Sequence, residues 1–344
     1  MRYDIVVVGA GPAGASAGGE AAKLGAKVLI VERKRIIGEP IQCAEFIPGL
    51  LSTEVKFTER SVAQKVMSMR THLFSEKCFE INSPGYILNR KVFDKELIES
   101  ARTRGADVWT GAVCVSKIEQ GVLIKRDSKY IEVSAKVIIG ADGPKSTVGR
   151  WIGEVSRDFI TALQYEMPLE SPMDYTDVYF DPKIVGGYGW LFPKGETANV
   201  GVGVRRSEGL KQILERFIGK LKKEGKIRGN PVSTTGGLIP VGGVLNTVKD
   251  NVILVGDAAG QTHSITGGGI PQAIICGKIA GRVTAQAIKK DNLNILLEYK
   301  DKWHRIFGQE LERAYIKRKF LDDFWNGTDT ILKKCWVGFK EYYE

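Results

Sequence analysis

No stretch of the sequence approaches the roughly 20 consecutive apolar residues that a membrane-crossing helix needs, so any membrane contact is expected to be peripheral. Cysteine is scarce: there are five, Cys43, Cys78, Cys114, Cys276 and Cys335, and no two form a C-x-x-C pair. Their odd number and irregular spacing exclude a disulfide framework and a zinc site, so no metal is expected and a reducing cytoplasm fits. Internal repeats and low-complexity tracts are missing as well. The N-terminus runs directly into a strand, and no signal peptide is expected. Neither sign of charge dominates strongly, with 50 Lys and Arg against 40 Asp and Glu, net +10. Apart from Lys220 to Arg228 and Lys317 to Lys319 the basic residues are dispersed. That pattern favours a solvated surface over a patch for anionic lipid headgroups, and no nucleic-acid partner is expected. With 43% apolar and 26% charged residues, a chain of 344 can bury a large core in two lobes.

What is present is concentrated at the start. Ile5 to Val8 is a β-branched run suited to a strand buried on both faces. Gly9, Gly11 and Gly14 follow as G-x-G-x-x-G with Ala13 among them. The first glycine makes the turn, the second lets backbone approach a pyrophosphate, and the third lets helix pack on strand. The helix N-terminus beyond them offers free N–H groups to phosphate. A second apolar run, Lys27 to Val31, ends at Glu32, 21 positions after Gly11, where a carboxylate would take a ribose hydroxyl of FAD or NAD.

Two later stretches repeat the design. Val137 to Ile139 is a short strand that delivers Asp142 and Gly143 into a turn, and Val252 to Val255 ends at Gly256 and Asp257. Gly267, Gly268 and Gly269 then open a helix from about Ile270 to Ala287, with His263 before them as a polar loop residue. Three glycine turns at strand ends place a ligand beside the carboxyl ends of one sheet. Elsewhere, residues 39 to 46 form a thiol-bearing loop around Cys43, and Arg90 sits at the entry of an amphipathic helix that runs to Gly105. The segments Phe159 to Met167, Tyr175 to Phe180, Gly187 to Phe192 and Asn199 to Val204 read as an inserted antiparallel sheet. Tyr188, Trp190 and Phe192 share one face of a strand there. Leu210 to Lys223 and most of Leu293 to Glu344 read as helical.

Together these motifs resemble the FAD-dependent superfamily of para-hydroxybenzoate hydroxylase. Within it, Q-C-A-E at 42 to 45, Y-I-L-N-R-K-V-F-D at 86 to 94, G-Y-G-W-L-F-P-K-G at 187 to 195, N-V-G-V-G at 199 to 203 and I-T-G-G-G-I at 265 to 270 resemble the geranylgeranyl reductase family. The resemblance implies an α/β fold: a Rossmann-like FAD-binding domain, an inserted antiparallel-sheet substrate domain and a C-terminal helical segment. The expected boundaries are 1–60, 85–154 and 233–290 for the first, 61–84 and 155–232 for the second, and 291–344 for the third.

FAD is the implied cofactor. Gly9, Gly11, Ala13 and Gly14 match the pyrophosphate turn and Glu32 the adenosine ribose. Cys43 and Ala44 match a loop beside the flavin, and Arg90, Cys114 and Asp142 match cofactor contacts. Gly256 and Asp257 match the ribityl contact, and Gly268, Gly269 and Ile270 the flavin edge. Phe46 stands where relatives carry glycine. The implied reaction saturates C=C bonds of geranylgeranyl chains in archaeal membrane phospholipid precursors. Cys43 is then the candidate catalytic proton donor, and Tyr188, Trp190 and Phe192 are candidates for lining the prenyl chain. The implied partners are a prenylated lipid and an external electron donor, whether ferredoxin, NADPH or a quinol. Two alternatives stay open: an FAD-dependent aromatic monooxygenase, and a flavin- or prenyl-lipid-binding electron carrier without turnover.

Overall fold

The β-branched runs become neighbouring parallel strands. In the computed structural model, which describes residues 1–55, 58–325 and 327–344, Ile5–Val8 pairs in parallel with Val28–Glu32 on one side and Val137–Gly140 on the other. Val252–Leu254 continues the sheet beyond Val137–Gly140, Asp107–Thr110 beyond Val28–Glu32, and the short antiparallel strand Val248–Lys249 closes one edge. Parallel strands covered on both faces need apolar side chains throughout, and Ile5–Val8 and Val137–Gly140 are buried at every position. The helices Pro12–Lys23 and Ile270–Lys289 pack closely because glycine faces backbone between them. A Cβ on Gly277 would stand 2.5 Å from Ala13 O, and one on Gly281 2.4 Å from Ala17 O. With a three-stranded sheet, Ala112–Ile118, Gly121–Arg126 and Lys129–Ser134, these elements form one compact unit, Met1–Glu39, Lys91–Asp158 and Gly242–Arg313.

The second unit, Pro40–Arg90, Phe159–Val241 and Ala314–Glu344, is built on an eight-stranded sheet. Its order is Ser233–Pro240, Phe159–Pro168, Thr197–Val204, Tyr188–Lys194, Tyr175–Tyr179, Val62–His72, Cys78–Leu88 and Phe46–Pro48. All pairings are antiparallel except that of Tyr175–Tyr179 with Val62–His72. The helix Leu210–Lys223 lays Leu214, Phe217, Ile218 and Leu221 into a core with Leu191, Val200, Val202 and Tyr179. Gly189 is required there, since a Cβ would meet the Phe217 ring at 2.9 Å.

The two compact units divide the chain differently from the expected boundaries: residues 40–60, 85–90 and 233–241 fall in the second unit and 155–158 in the first, with Ser233–Pro240 paired to Phe159–Pro168. The loop after Pro40 contains the strand Phe46–Pro48, which pairs with Cys78–Leu88, so it goes with the large antiparallel sheet and not with the nucleotide-binding unit. The expected C-terminal segment, 291–344, is shared. Tyr299, Trp303 and Leu311 join the core of the first unit, whereas Trp336 packs edge-on against Phe180 at 5.2 Å and Tyr188 at 5.1 Å in the second.

One buried charge in the second unit makes its stability depend on acid. Asp177, fully buried, accepts from Lys226 Nζ at 2.6 Å and pairs with His72 Nε2 at 2.8 Å, and the His72 ring stacks on Tyr179. Burial alone pushes this carboxyl up, but the bonds and charges of His72 and Lys226 outweigh it and hold it below its ordinary 3.8. A carboxyl depressed on folding stabilises the fold above its unfolded pKa and loses that contribution as pH falls through the folded one. Lys226→Met is therefore expected to lower stability by about 3 kcal/mol at neutral pH, because it strips a partner from a buried carboxylate. Asp177→Asn is expected to flatten the acid limb below about pH 4. Urea melts across pH check both, and an unchanged midpoint for Lys226→Met would contradict the first.

Candidate active site

In the first unit the three glycine turns converge, and what each glycine would strike if it carried a side chain shows why. Gly9 has φ +103°, and its Cβ would lie 2.3 Å from Ala141 O and 3.0 Å from Asp142 Cα. Gly14's would lie 1.9 Å from Gly9 O. Gly256's would lie 3.0 Å from Ala13 Cβ, and Gly269's 3.1 Å from Asp257 Oδ1. The turns at the ends of Ile5–Val8, Val137–Gly140 and Val252–Leu254 thus pack on one another at the carboxyl end of the sheet. Gly11 is the exception: nothing stands within 4 Å of its Cβ position. It is the N-cap residue of Pro12–Lys23 and offers no side-chain cap to the first-turn N–H groups. A helix start of this kind can receive a phosphate group.

Glu32 is held by the main chain, its Oε2 accepting from Ala10 N at 2.8 Å and its Oε1 from Lys34 N at 2.9 Å. A carboxylate has about four acceptor positions, so lone pairs remain for a ribose hydroxyl. Asp142 is engaged within its own turn. Its carboxylate accepts from Ser146 Oγ, Thr147 N and Val148 N, and so ties down the helix Thr147–Ile152. Cys114 is buried, and burial, with Asp142 nearby, pushes its thiol up to about 12, so it stays un-ionised. Asp257 Oδ1 accepts from Thr262 Oγ1 at 2.9 Å. Gly268, Gly269 and Ile270 lead into Ile270–Lys289, whose N-terminus also lacks a side-chain cap.

Around those glycines two buried polar atoms, Ser264 Oγ and Gln272 Oε1, have no hydrogen-bond partner among the described residues. Buried polar groups are nearly always paired, so a polar ligand edge at this helix start is what they lack. The open Gly11, the anchored Glu32 and these two atoms fit a dinucleotide such as FAD. His263 proves to be more than a polar loop residue. Its Nδ1 accepts from Thr266 N at 3.2 Å, its N–H donates to Gly268 O at 2.9 Å, and its carbonyl accepts from Gly267 N at 2.8 Å. It fixes the glycine loop, a task that only its place in the fold discloses.

The second unit gathers the other candidates around residues 43–45. The backbone N–H of Glu45 donates to Cys43 Sγ at 3.2 Å, and the Arg90 cation acts on the charge of the same sulfur. Gln164 Nε2 donates to Cys43 O at 3.3 Å, and Asn199 Nδ2 to Ala44 O at 3.1 Å. Burial is the strongest influence on the Cys43 thiol and pushes it up; the Arg90 cation and the Glu45 N–H pull the other way without reversing it. Burial and the neighbouring Cys43 likewise push the Tyr188 phenol up. Trp190 Nε1 donates to Gln164 Oε1 at 2.9 Å, which links the aromatic strand to the thiol loop. Trp190 and Phe192 are buried, Tyr188 is partly exposed, and Phe46 packs on Phe192 at 5.8 Å.

Sequence reasoning passed over Glu45. It is 1% exposed, with φ +71°, and its carboxylate accepts from Arg90 N at 3.0 Å, Asn199 Nδ2 at 2.9 Å and Lys194 Nζ at 2.5 Å. The last two lie within the quoted motifs at 187–195 and 199–203, but nothing local joins them to position 45.

Residues 158–239 match the model of the geranylgeranyl reductase catalytic domain, and residues 4–144 that of the FAD dependent oxidoreductases. Digeranylgeranylglycerophospholipid reductase 1 of Methanopyrus kandleri is 41% identical over 337 residues, covering 91% of this chain and 89% of its own. Reductase 2 of the same organism is 38% identical, over 95% of this chain and 88% of its own. The crystal structure of a geranylgeranyl bacteriochlorophyll reductase-like protein from Thermoplasma acidophilum superposes with a TM-score of 0.88 at 33% identity, covering 100% of this chain and 97% of that one.

Proposed function

The chain belongs to the digeranylgeranylglycerophospholipid reductase family, and from that membership we propose that it is an FAD-dependent oxidoreductase saturating the C=C bonds of geranylgeranyl chains in archaeal membrane phospholipid precursors. The observation that supports this most directly is 41% identity to such a reductase over nearly the whole chain. When bound and reduced, FAD supplies hydride to one carbon of the alkene. An isolated alkene accepts hydride poorly, so a proton must reach the other carbon in a coordinated step.

Cys43 delivers that proton. Its sulfur accepts from the Glu45 N–H, a bond that uses a sulfur lone pair and leaves the S–H proton to be given away. As the S–H bond breaks and the new C–H bond forms, the electron pair stays on sulfur. The Glu45 N–H and the Arg90 cation then stabilise the thiolate until water reprotonates it. Tyr188, Trp190 and Phe192 line the prenyl chain, and the glycine turns, Glu32 and Asp257 hold the cofactor.

An external donor, whether ferredoxin, NADPH or a quinol, returns two electrons per saturated bond. No helix among the described residues is long and apolar enough to cross a membrane. The proposed encounter with the lipid substrate is peripheral, at the membrane surface.

Anaerobic, dithionite-reduced protein mixed with a digeranylgeranyl glycerophospholipid is expected to reoxidise while the lipid gains two hydrogens per bond. Reoxidation without a mass gain would leave an electron carrier. Uncoupled NADPH oxidation on aromatic compounds would leave a monooxygenase.

A further inference from the structure

We propose that Glu45 is the positioning residue of the Cys43 thiol, aiming it through its own backbone N–H from a loop that Lys194, Asn199 and Gln164 lock in place. This inference rests on reading Cys43 as the proton donor. It starts from an anomaly. A residue with φ +71° lies in the left-handed region, where glycine is at ease and glutamate is not. Such strain persists where the surroundings over-determine it, and it gathers at functional sites. A turn alone would be served better by glycine.

The side chain supplies what glycine cannot. Its carboxylate, buried with the residue, binds three donors from three separate segments: Arg90 N, Lys194 Nζ and Asn199 Nδ2. Those bonds fix the orientation of residue 45, and the N–H of that same residue contacts Cys43 Sγ. The two preceding carbonyls are held as well, Ala44 O by Asn199 and Cys43 O by Gln164. Every residue from 43 to 45 is thereby hydrogen-bonded to side chains of the antiparallel sheet. Because Gln164 also receives Trp190 Nε1, the thiol and the aromatic strand are fixed in one frame. Misplacing a reacting group by about 1 Å costs on the order of 100-fold in rate, so such a clamp has a direct kinetic effect.

The test uses FAD-loaded enzyme. Glu45→Gln keeps the side-chain length and removes the charge. Turnover is expected to fall about 10- to 100-fold, with the lipid KM within about two-fold. Iodoacetamide, followed by peptide mass at Cys43, is expected to react about ten-fold faster, since a thiol released from its loop meets solvent more often. In a Cys43→Ala background the Glu45→Gln change is expected to cost no further turnover, because it acts through that thiol. An equal loss in both backgrounds, or unaltered alkylation of Cys43, overturns the proposal. So does wild-type turnover in Glu45→Gly, which relaxes the backbone but lacks the carboxylate. Should Glu45→Gln fail to fold, Asn199→Ala releases the same loop and is expected to speed Cys43 alkylation in the same direction. If Cys43→Ala itself turns over like the parent, the acid role fails, while the alkylation rates still decide whether Glu45 places the thiol.

Discussion

Gly14→Ala is expected to purify as a colourless protein with sharply weakened FAD binding. Its new Cβ would fall 1.9 Å from Gly9 O, a contact between two main-chain segments in which no side chain can step aside. Either the helix Pro12–Lys23 lifts from the strand Ile5–Val8 or the turn at Gly9 reshapes, and both move the N–H groups meant for pyrophosphate. Overpacking of this kind costs up to about 3 kcal/mol. Taken from binding, that is roughly a hundred-fold in affinity, since about 1.4 kcal/mol is tenfold. The ratio of flavin to protein absorbance and a fluorescence titration with FAD measure the loss. Gly11→Ala provides the contrast: its Cβ meets nothing within 4 Å, so it is expected to melt like the parent while still binding FAD less well. A yellow Gly14→Ala protein with the parent's melting temperature would contradict the packing account.

Cys43→Ala is expected to retain FAD and lose about 100- to 10,000-fold in turnover, the range that a positioned general acid contributes. The small apolar side chain fills nearly the same space, so the fold has little reason to change. The pH profile carries the sign. An acid works only while protonated, and burial raises the Cys43 thiol from its ordinary 9.0. Activity limited by this group is therefore flat through neutral pH and falls only in the alkaline range. In the alanine variant that alkaline fall should vanish, leaving a slower, pH-insensitive rate from water. Full turnover with flavin bound would remove Cys43 from the chemistry.

The nucleotide cradle was readable because its signals are local. Gly9, Gly11, Gly14 and Glu32 sit at spacings set by strand, turn and helix, and the β-branched runs around them report burial on both faces without reference to the rest of the chain. Asp142 shows what such local signals leave out: its carboxylate also ties down the start of Thr147–Ile152, a bond that its place in a glycine turn does not announce. The loop around Cys43 shows a different limit. Without the strand pairing of Phe46–Pro48 with Cys78–Leu88, a stretch dotted with Pro and Gly reads only as loop.

By itself, then, the order of residues determined the kind of protein: a dinucleotide-binding parallel sheet, an inserted antiparallel sheet, a thiol and an aromatic strand as the candidate chemical groups. Spacings of two to four residues and short apolar runs encode these, because a turn or a strand face depends on near neighbours alone. Tertiary structure decided which of these groups share an environment. Glu45 meets Lys194 and Asn199 across about 150 positions of chain, with separations of 149 and 154, and Trp190 meets the Cys43 loop through Gln164. The pH behaviour of the thiol and of Asp177 follows from those meetings, since a pKa depends on burial and on charges brought near by folding, which no local pattern records.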